Sequence, residues 1–391
     1  MNALLEKPFK PESQLKPKFK RRTRGLILTY QCNLNCIYCY IPEKYDKCMP
    51  FETAFHAVSG AFNEMPDFDF DEVEIDFAGA EPLTAFERLQ AISEWIWRQP
   101  WPKPYILFAT TNGTLLDAKM KEWFACNKTR IILGLSCDGN TRTQDRNRSG
   151  SSSSIDLDFF LNTWPKQPLK MTISEDTVAD LADDIIYLHK KGFEITANPA
   201  NGMKGWRQSN INEYVRQLAK LVEYYGSNPH IPRSTLLNVE LKAITKKKGK
   251  FGNKHCGAGT AYDVVDIDGK VYPCHMFSPL VLPESKLKTL PEIDFSAREP
   301  FADPRCEPCI LKNICPSCYG LNYKGGGNPA RKEETLCRLF QIQALANCKY
   351  YLKLLESKNE ITKDEYETAT AIQAIYAYFN IIKPKGAMSH V

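Results

Sequence analysis

The sequence predicts an α/β protein: parallel strands joined by helical crossovers, then a cysteine-rich region and a helical tail. Three observations carry that prediction. Between residues 25 and 230, short apolar runs alternate with amphipathic stretches of helical period, making six β-then-α units. Units of this length join parallel strands through crossover helices. Seven of the 14 cysteines then fall between Cys256 and Cys337, and beyond them Leu339–Leu355 and Lys363–Phe379 keep a helical period.

The candidate strands, in order, are Gly25–Thr29, Glu72–Ala78, Tyr105–Thr110, Arg130–Leu135, Leu169–Ile173 and Phe193–Ala197. Between and after them, Glu52–Met65, Glu87–Arg98, Asp117–Cys126, Asp156–Trp164, Val178–Lys191 and Ile211–Tyr225 read as helices. In parallel barrels reactive groups gather at the carboxyl ends of the strands, and the unusual residues of this chain fall there. Three cysteines follow the first strand, Gly79-Ala-Glu-Pro82 the second, Thr111-Asn-Gly-Thr114 the third and Ser136-Cys-Asp-Gly139 the fourth. Ser149–Ser154 reads as a flexible surface loop. Residues 198–209 read as a loop at the barrel mouth, a candidate lid.

Composition narrows the function classes. At 391 residues the chain has room for two or three domains, and 43% hydrophobic with 25% charged residues is ordinary for a globular protein. A net charge of +5 is too mild to imply nucleic acid. Much of it sits in a basic, proline-spaced arm, residues 1–24, expected to be extended: a solvated tail or a site for an acidic peptide. No run of eighteen apolar residues spans a membrane and no signal core is present. Cysteines clustered at metal-like spacings in a large chain point to a reducing cytoplasm rather than to disulfides.

Cys32, Cys36 and Cys39 form a C-x3-C-x2-C triplet on one short loop. Three thiolates on one loop suit a [4Fe–4S] cluster, which needs four ligands to close. Cys48 lies nine residues on, past Pro42, so one iron is expected to stay open, and an open metal position is a reaction site. A zinc knuckle is the blander reading.

This triplet, with Tyr38 before its third cysteine, resembles the signature of the radical S-adenosylmethionine (SAM) enzymes, and the four strand-end motifs occur in that family's order. The resemblance covers roughly residues 25–230 and implies a partial (β/α)6 barrel in which SAM chelates the open iron. It implies SAM-binding roles for Tyr38, Gly79, Ala80, Glu81, Asn112, Ser136, Asp138 and, more weakly, Ser174. Glu81 and its backbone would accept the SAM ammonium; Ser136 and Asp138 would hold the ribose. Ala80 replaces the family's second glycine, so an extended backbone is expected there.

The later cysteines begin with a candidate hairpin, Tyr262–Tyr272, turning at Asp268-Gly269 and able to bring Cys256 and Cys274 together. The C-x2-C-x5-C-x2-C run at Cys306, Cys309, Cys315 and Cys318 also suits a zinc ribbon. Beside the barrel, the region resembles the SPASM extension of radical SAM enzymes. That resemblance implies two auxiliary [4Fe–4S] clusters, three clusters in all. Cys256, Cys274 and Cys318 would hold the first, and Cys306, Cys309, Cys315 and Cys337 the second. Gly257–Ala261 lacks the further cysteine of sulfatase-maturing members, leaving an open iron in the first auxiliary cluster unless Cys348 or another group fills it. Cys48, Cys126, Cys137 and Cys348 default to apolar packing. The implied division is arm 1–24, barrel 25–230, bridge 231–255, SPASM 256–337 and helical tail 338–391.

The resemblance implies a peptide maturase that abstracts hydrogen from a ribosomally made precursor peptide and installs a side-chain crosslink, a thioether being favoured. Flavodoxin or ferredoxin would donate the electron. In sulfatase-maturing relatives an Asp base follows the cysteine at the position of Cys274. Here His275 stands there, a proton acceptor in its own right, so formylglycine formation is the alternative. A zinc-stabilised binding protein is the non-enzymatic one. Cys32 lies too near the start to leave room for a leader-binding domain before the barrel.

Overall fold

The computed structural model describes residue 7, residues 9–10, 20–63, 69–200, 205–245, 254 and 256–381. Most of the basic arm and part of the candidate lid lie outside the described residues.

The predicted strands appear as β1 (Arg21–Thr29), β2 (Glu72–Gly79), β3 (Tyr105–Thr111), β4 (Ile131–Leu135), β5 (Leu169–Ile173) and β6 (Ile195–Pro199). Helices α1 (Phe51–Asn63), α2 (Phe86–Ile96), α3 (Ala118–Cys126), α4 (Thr141–Asn147), α5 (Leu157–Thr163), α6 (Leu181–Lys190) and α7 (Gln208–Ser227) intervene or follow. Strands β4-β3-β2-β1 form a parallel arc, and β5-β6 form a separate parallel pair, joined to the arc by a bridge between Ser136 and Lys170. The hairpin supplies β7 (Tyr262–Val265) and β8 (Val271–Tyr272), and β7 pairs parallel with β1, extending the arc. The cysteine-rich region therefore completes one edge of the barrel sheet. The rest of the chain adds α8 (Glu284–Thr289), α9 (Tyr319–Gly326), α10 (Glu334–Glu356) and α11 (Lys363–Tyr378).

Strands covered on both faces read as continuous apolar runs, as β1 does over Gly25–Thr29, but β2, β3 and β5 alternate. Val73, Ile75 and Phe77 are fully buried under the helices, whereas Glu74, Asp76 and Ala78 are only partly buried on the other face. In β5, Leu169, Met171 and Ile173 are buried, with Lys170 and Thr172 opposite. The inner face thus lines a cavity. A second core, including Leu241, Leu311, Phe340, Cys348 and Ile372, binds the bridge and the cysteine-rich region to the tail.

Three expectations need correction. The last residues of the arm are strand: Arg22 and Arg24 are buried in β1, where Arg22 donates to Ala61 O and Arg24 pairs with Asp263 of β7. The serine run is not a free loop, since Ser151 is 3% exposed and receives Gln144 Nε2, while Ser149 Oγ accepts Asn35 N–H at 2.9 Å. Helix α4 was missed altogether. Its seven residues are too short for periodicity, and its start is marked only by Asn140, whose side chain caps Arg142 N–H and Thr143 N–H.

Candidate functional site

The cysteine loop follows β1 and is pinned from several sides. Ile37 N–H donates to Asn147 O at 3.0 Å, Cys39 N–H to Cys36 O at 3.0 Å, and Asn33 Nδ2 to Thr114 Oγ1 at 2.8 Å. Lys324, from α9, donates to Tyr40 O at 2.6 Å, and Tyr30 donates to Asp266 Oδ1 at 2.7 Å, so the cysteine-rich region braces the loop. Next to it the end of β2 is stitched on: Ala80 N–H reaches Thr29 O at 3.1 Å and Glu81 N–H reaches Gln31 O at 2.9 Å. Gly79 has φ +142°, and a Cβ there would stand 2.6 Å from Thr29 O, so this position requires glycine. Ala80 keeps a negative φ, so its methyl is accommodated.

A cavity of about 420 Å³ opens over this loop. It is lined by Cys32, Cys36, Cys39, Tyr38, Gly79, Ala80, Glu81, Asn112 and Ser136, which come from the loop and the ends of β2, β3 and β4. The thiols of Cys32, Cys36 and Cys39 feel one another. Burial pushes the Cys32 and Cys36 thiols up, while Lys44 and Arg148 respectively pull them down. Glu81 is 2% exposed, and its carboxylate accepts Thr111 Oγ1 at 2.7 Å, Asn112 N–H at 2.8 Å and Leu83 N–H at 3.1 Å. Burial pushes its carboxyl up to about 7 against those donors.

Asp138 and Ser174 are drawn away from the cavity. The Asp138 side chain has 0% exposure and lies 3.0 Å from Arg148 Nε. It also accepts Arg148 Nη2 and Asn147 Nδ2 at 3.1 Å, Thr172 N–H at 2.9 Å, and the Tyr38 hydroxyl. Its carboxylate is thus committed to protein partners. Ser174 is likewise fully buried, donating to Asn147 Oδ1 at 3.0 Å. At both positions a short polar residue past a strand end turns inward, held by a buried partner. Arg148 was missed by sequence reasoning. It is 7% exposed, lines the cavity, and lies 5.4 Å from the Tyr38 ring centre. Its signal was faint, the third of three arginines (Arg142, Arg146 and Arg148) in the ten residues past Asp138.

The later cysteines fall into two neighbourhoods. Cys306 feels Cys315, Cys309 and Cys337, and burial pushes its thiol up first. Cys274 feels Cys318 and Cys256, and burial dominates there too. Cys348 is fully buried in the second core among Phe340, Ala344 and Ile372, a core against which Cys309 and Cys315 of the second set also pack. His275 lines the cavity and meets Tyr262 Oη at 3.3 Å. Burial, then Lys170, pushes its pKa down to about 4, so the imidazole is neutral and a weak base near pH 7.

Among the described residues no three His, Cys, Asp or Glu side chains converge on a single ion. The donor sets fit iron–sulfur clusters instead. Such clusters take thiolates at separate corners, and every member of the three sets is a free thiol.

Comparison with known proteins places this architecture. No family model matches the chain. It is 22% identical over 346 residues to the radical SAM cyclopropyl synthase TigE of Paramaledivibacter caminithermalis, a match covering 81% of this chain and 72% of that protein. An uncharacterized protein of Methanocaldococcus jannaschii is 36% identical over 115 residues, which span 29% of this chain and only 37% of its own length. Among solved structures, anSMEcpe with bound AdoMet superposes with a TM-score of 0.63 at 18% identity, covering 86% of this chain and all of that one. SuiB of Streptococcus suis bound to S-adenosylmethionine gives 0.54 at 16% identity, covering 82% and 75%. The chain therefore shares the fold of anSMEcpe and SuiB, both solved with S-adenosylmethionine bound. None of its described helices is long and apolar enough to cross a membrane.

Proposed function

We propose that this chain is a radical SAM peptide maturase with a SPASM-type auxiliary region. The observation that carries the reading is the convergence of Cys32, Cys36, Cys39 and the Gly79–Glu81 turn on one cavity beneath three strand ends. A [4Fe–4S] cluster held by those three thiolates supplies, when bound, the electron that cleaves SAM to methionine and a 5′-deoxyadenosyl radical. The chain's own groups then divide the binding work. Glu81 and the Gly79 and Ala80 backbone receive the SAM ammonium, and Arg148, whose charge Glu81 feels, receives its carboxylate. Asn112 and Ser136 line the adenosine side. Tyr38 is fixed by its hydroxyl on Asp138 and by Arg148 over its ring, which holds the cysteine loop in register.

Cys306, Cys309, Cys315 and Cys337 would close one auxiliary cluster, and Cys256, Cys274 and Cys318 would hold another with a free position. Thioether crosslinking follows from that free position, which suits a substrate thiolate. Solved complexes of anSMEcpe with the Cp18Cys peptide and of SuiB with the precursor peptide SuiA support a peptide substrate. Formylglycine formation is the weaker reading, because His275 stands where the resemblance places an Asp and Gly257–Ala261 lacks the further cysteine. A flavodoxin or ferredoxin would supply electrons. Co-expression with precursor peptides carrying cysteine tests the proposal: a loss of two daltons with a sulfur–carbon bond is expected, and a cysteine that loses two hydrogens and exchanges its sulfur for oxygen, giving an aldehyde, would overturn the crosslinking reading.

A further inference from the structure

The cavity has a second end that the SAM site leaves unused. Asp76 of β2 and Lys170 of β5 line it from strands that stand apart round the arc. Strand alternation puts both on the inner face, opposite the buried Val73, Ile75 and Phe77 and the buried Leu169, Met171 and Ile173. Lys170 Nζ donates to Thr110 Oγ1 at 2.6 Å and lies 4.9 Å from the Phe108 ring centre. The Asp76 carboxylate has no hydrogen bond and no ion pair within 4.0 Å among the described residues, although it feels Lys170 across the gap. Burial raises its pKa to about 6 and lowers that of Lys170. Asp76 is half-buried and Lys170 exposed on the lumen wall, so both present their charge to whatever occupies the cavity.

We propose that Asp76 and Lys170 form a substrate subsite that clamps one peptide group, Asp76 accepting its N–H and Lys170 donating to its C=O. This rests on the reading of the chain as a peptide-modifying enzyme. A trans peptide unit points its N–H and C=O in opposite directions, which matches two walls of opposite polarity. A substrate cation would be held by Asp76 but repelled by Lys170, and an anion the reverse. Room for the flanking chain exists: Asn198 and Pro199, at the end of β6, line both this cavity and a neighbouring one of about 560 Å³. That neighbour is edged by amide side chains such as Asn238, Asn322 and Gln343, groups able to pair with a peptide backbone.

The test uses full-length, cluster-loaded protein with SAM and measures affinity for triglycine capped by N-acetyl and C-methylamide groups. Asp76→Leu and Lys170→Met should each weaken binding about tenfold or more, whereas Asp76→Asn, which keeps a carbonyl acceptor, should lose only about threefold. Methylammonium is the control probe: if it binds and Asp76→Asn loses as much as Asp76→Leu, the site takes a cation and the clamp is wrong. The clamp is also wrong if capped triglycine fails to bind, or binds all four proteins alike. Melting temperature separates out a structural role, since Asp76→Leu should melt no lower than the parent, and a clear drop would overturn the assignment. Release of 5′-deoxyadenosine by the parent protein is scored separately, so failure of the radical reading is visible as such.

Discussion

Replacing Asp138 by leucine distinguishes an internal strut from a ribose ligand. The substitution leaves the Arg148 guanidinium, 7% exposed, without its carboxylate at 3.0 Å, and strips a partner from Asn147 Nδ2, Thr172 N–H and the Tyr38 hydroxyl. Removing one member of a buried ion pair costs about 3–5 kcal/mol. For 391 residues, an unfolding entropy of about 2.1 cal/mol/K per residue gives about 0.8 kcal/mol per degree, so the melting temperature should fall by about 4–6 °C. Because Ile37 N–H is bound to Asn147 O, the cysteine loop should loosen too, and iron retention should drop with stability. The assay is thermal unfolding followed by circular dichroism, alongside iron content and SAM affinity. A variant that melts within about one degree of the parent, keeps its iron and loses only SAM affinity would refute the strut and restore the ribose role.

Other outcomes follow from the same geometry. SAM affinity should fall about tenfold between pH 8 and pH 6, because a cation binds only the ionised form of a carboxyl raised to about 7; Glu81→Gln should flatten that profile in equilibrium dialysis. The same raised pKa makes ionised Glu81 a small burden on folding, present above about pH 7 and relieved below the ordinary carboxyl range. Reconstituted protein should hold about twelve irons, falling to about eight when Cys32, Cys36 and Cys39 are all alanine. Cys348→Ala should leave the iron count unchanged, since that thiol packs in the second core; a loss of four irons would place it among the ligands. Gly79→Ala should destabilise the β1–β2 junction by about 1–3 kcal/mol, read as a lower midpoint in urea, because its methyl would meet Thr29 O at 2.6 Å.

Local signals carried much of this molecule. Strand β5 is Leu169–Ile173 as its apolar alternation predicts, and the Asp268-Gly269 turn, with Gly269 at φ +86°, closes the hairpin where expected. The cavity lining by the cysteine triplet, Gly79–Glu81, Asn112 and Ser136 was legible because motifs at successive parallel strand ends must meet at one rim. What stayed hidden depends on partners far away in sequence. Arg22 and Arg24 look like tail until Ala61 O and Asp263 are brought beside them. Asp138 looks like a ligand until Arg148 claims it, and Asp76 and Lys170 look like ordinary strand polar positions until the arc bends them around a shared lumen.

The central claim is tested most directly by quantifying 5′-deoxyadenosine after adding dithionite and SAM to anaerobically reconstituted protein. The account predicts equal release of 5′-deoxyadenosine and methionine, abolished when any one of Cys32, Cys36 or Cys39 becomes alanine. No release from protein carrying a full iron complement, or undiminished release from those variants, would contradict it.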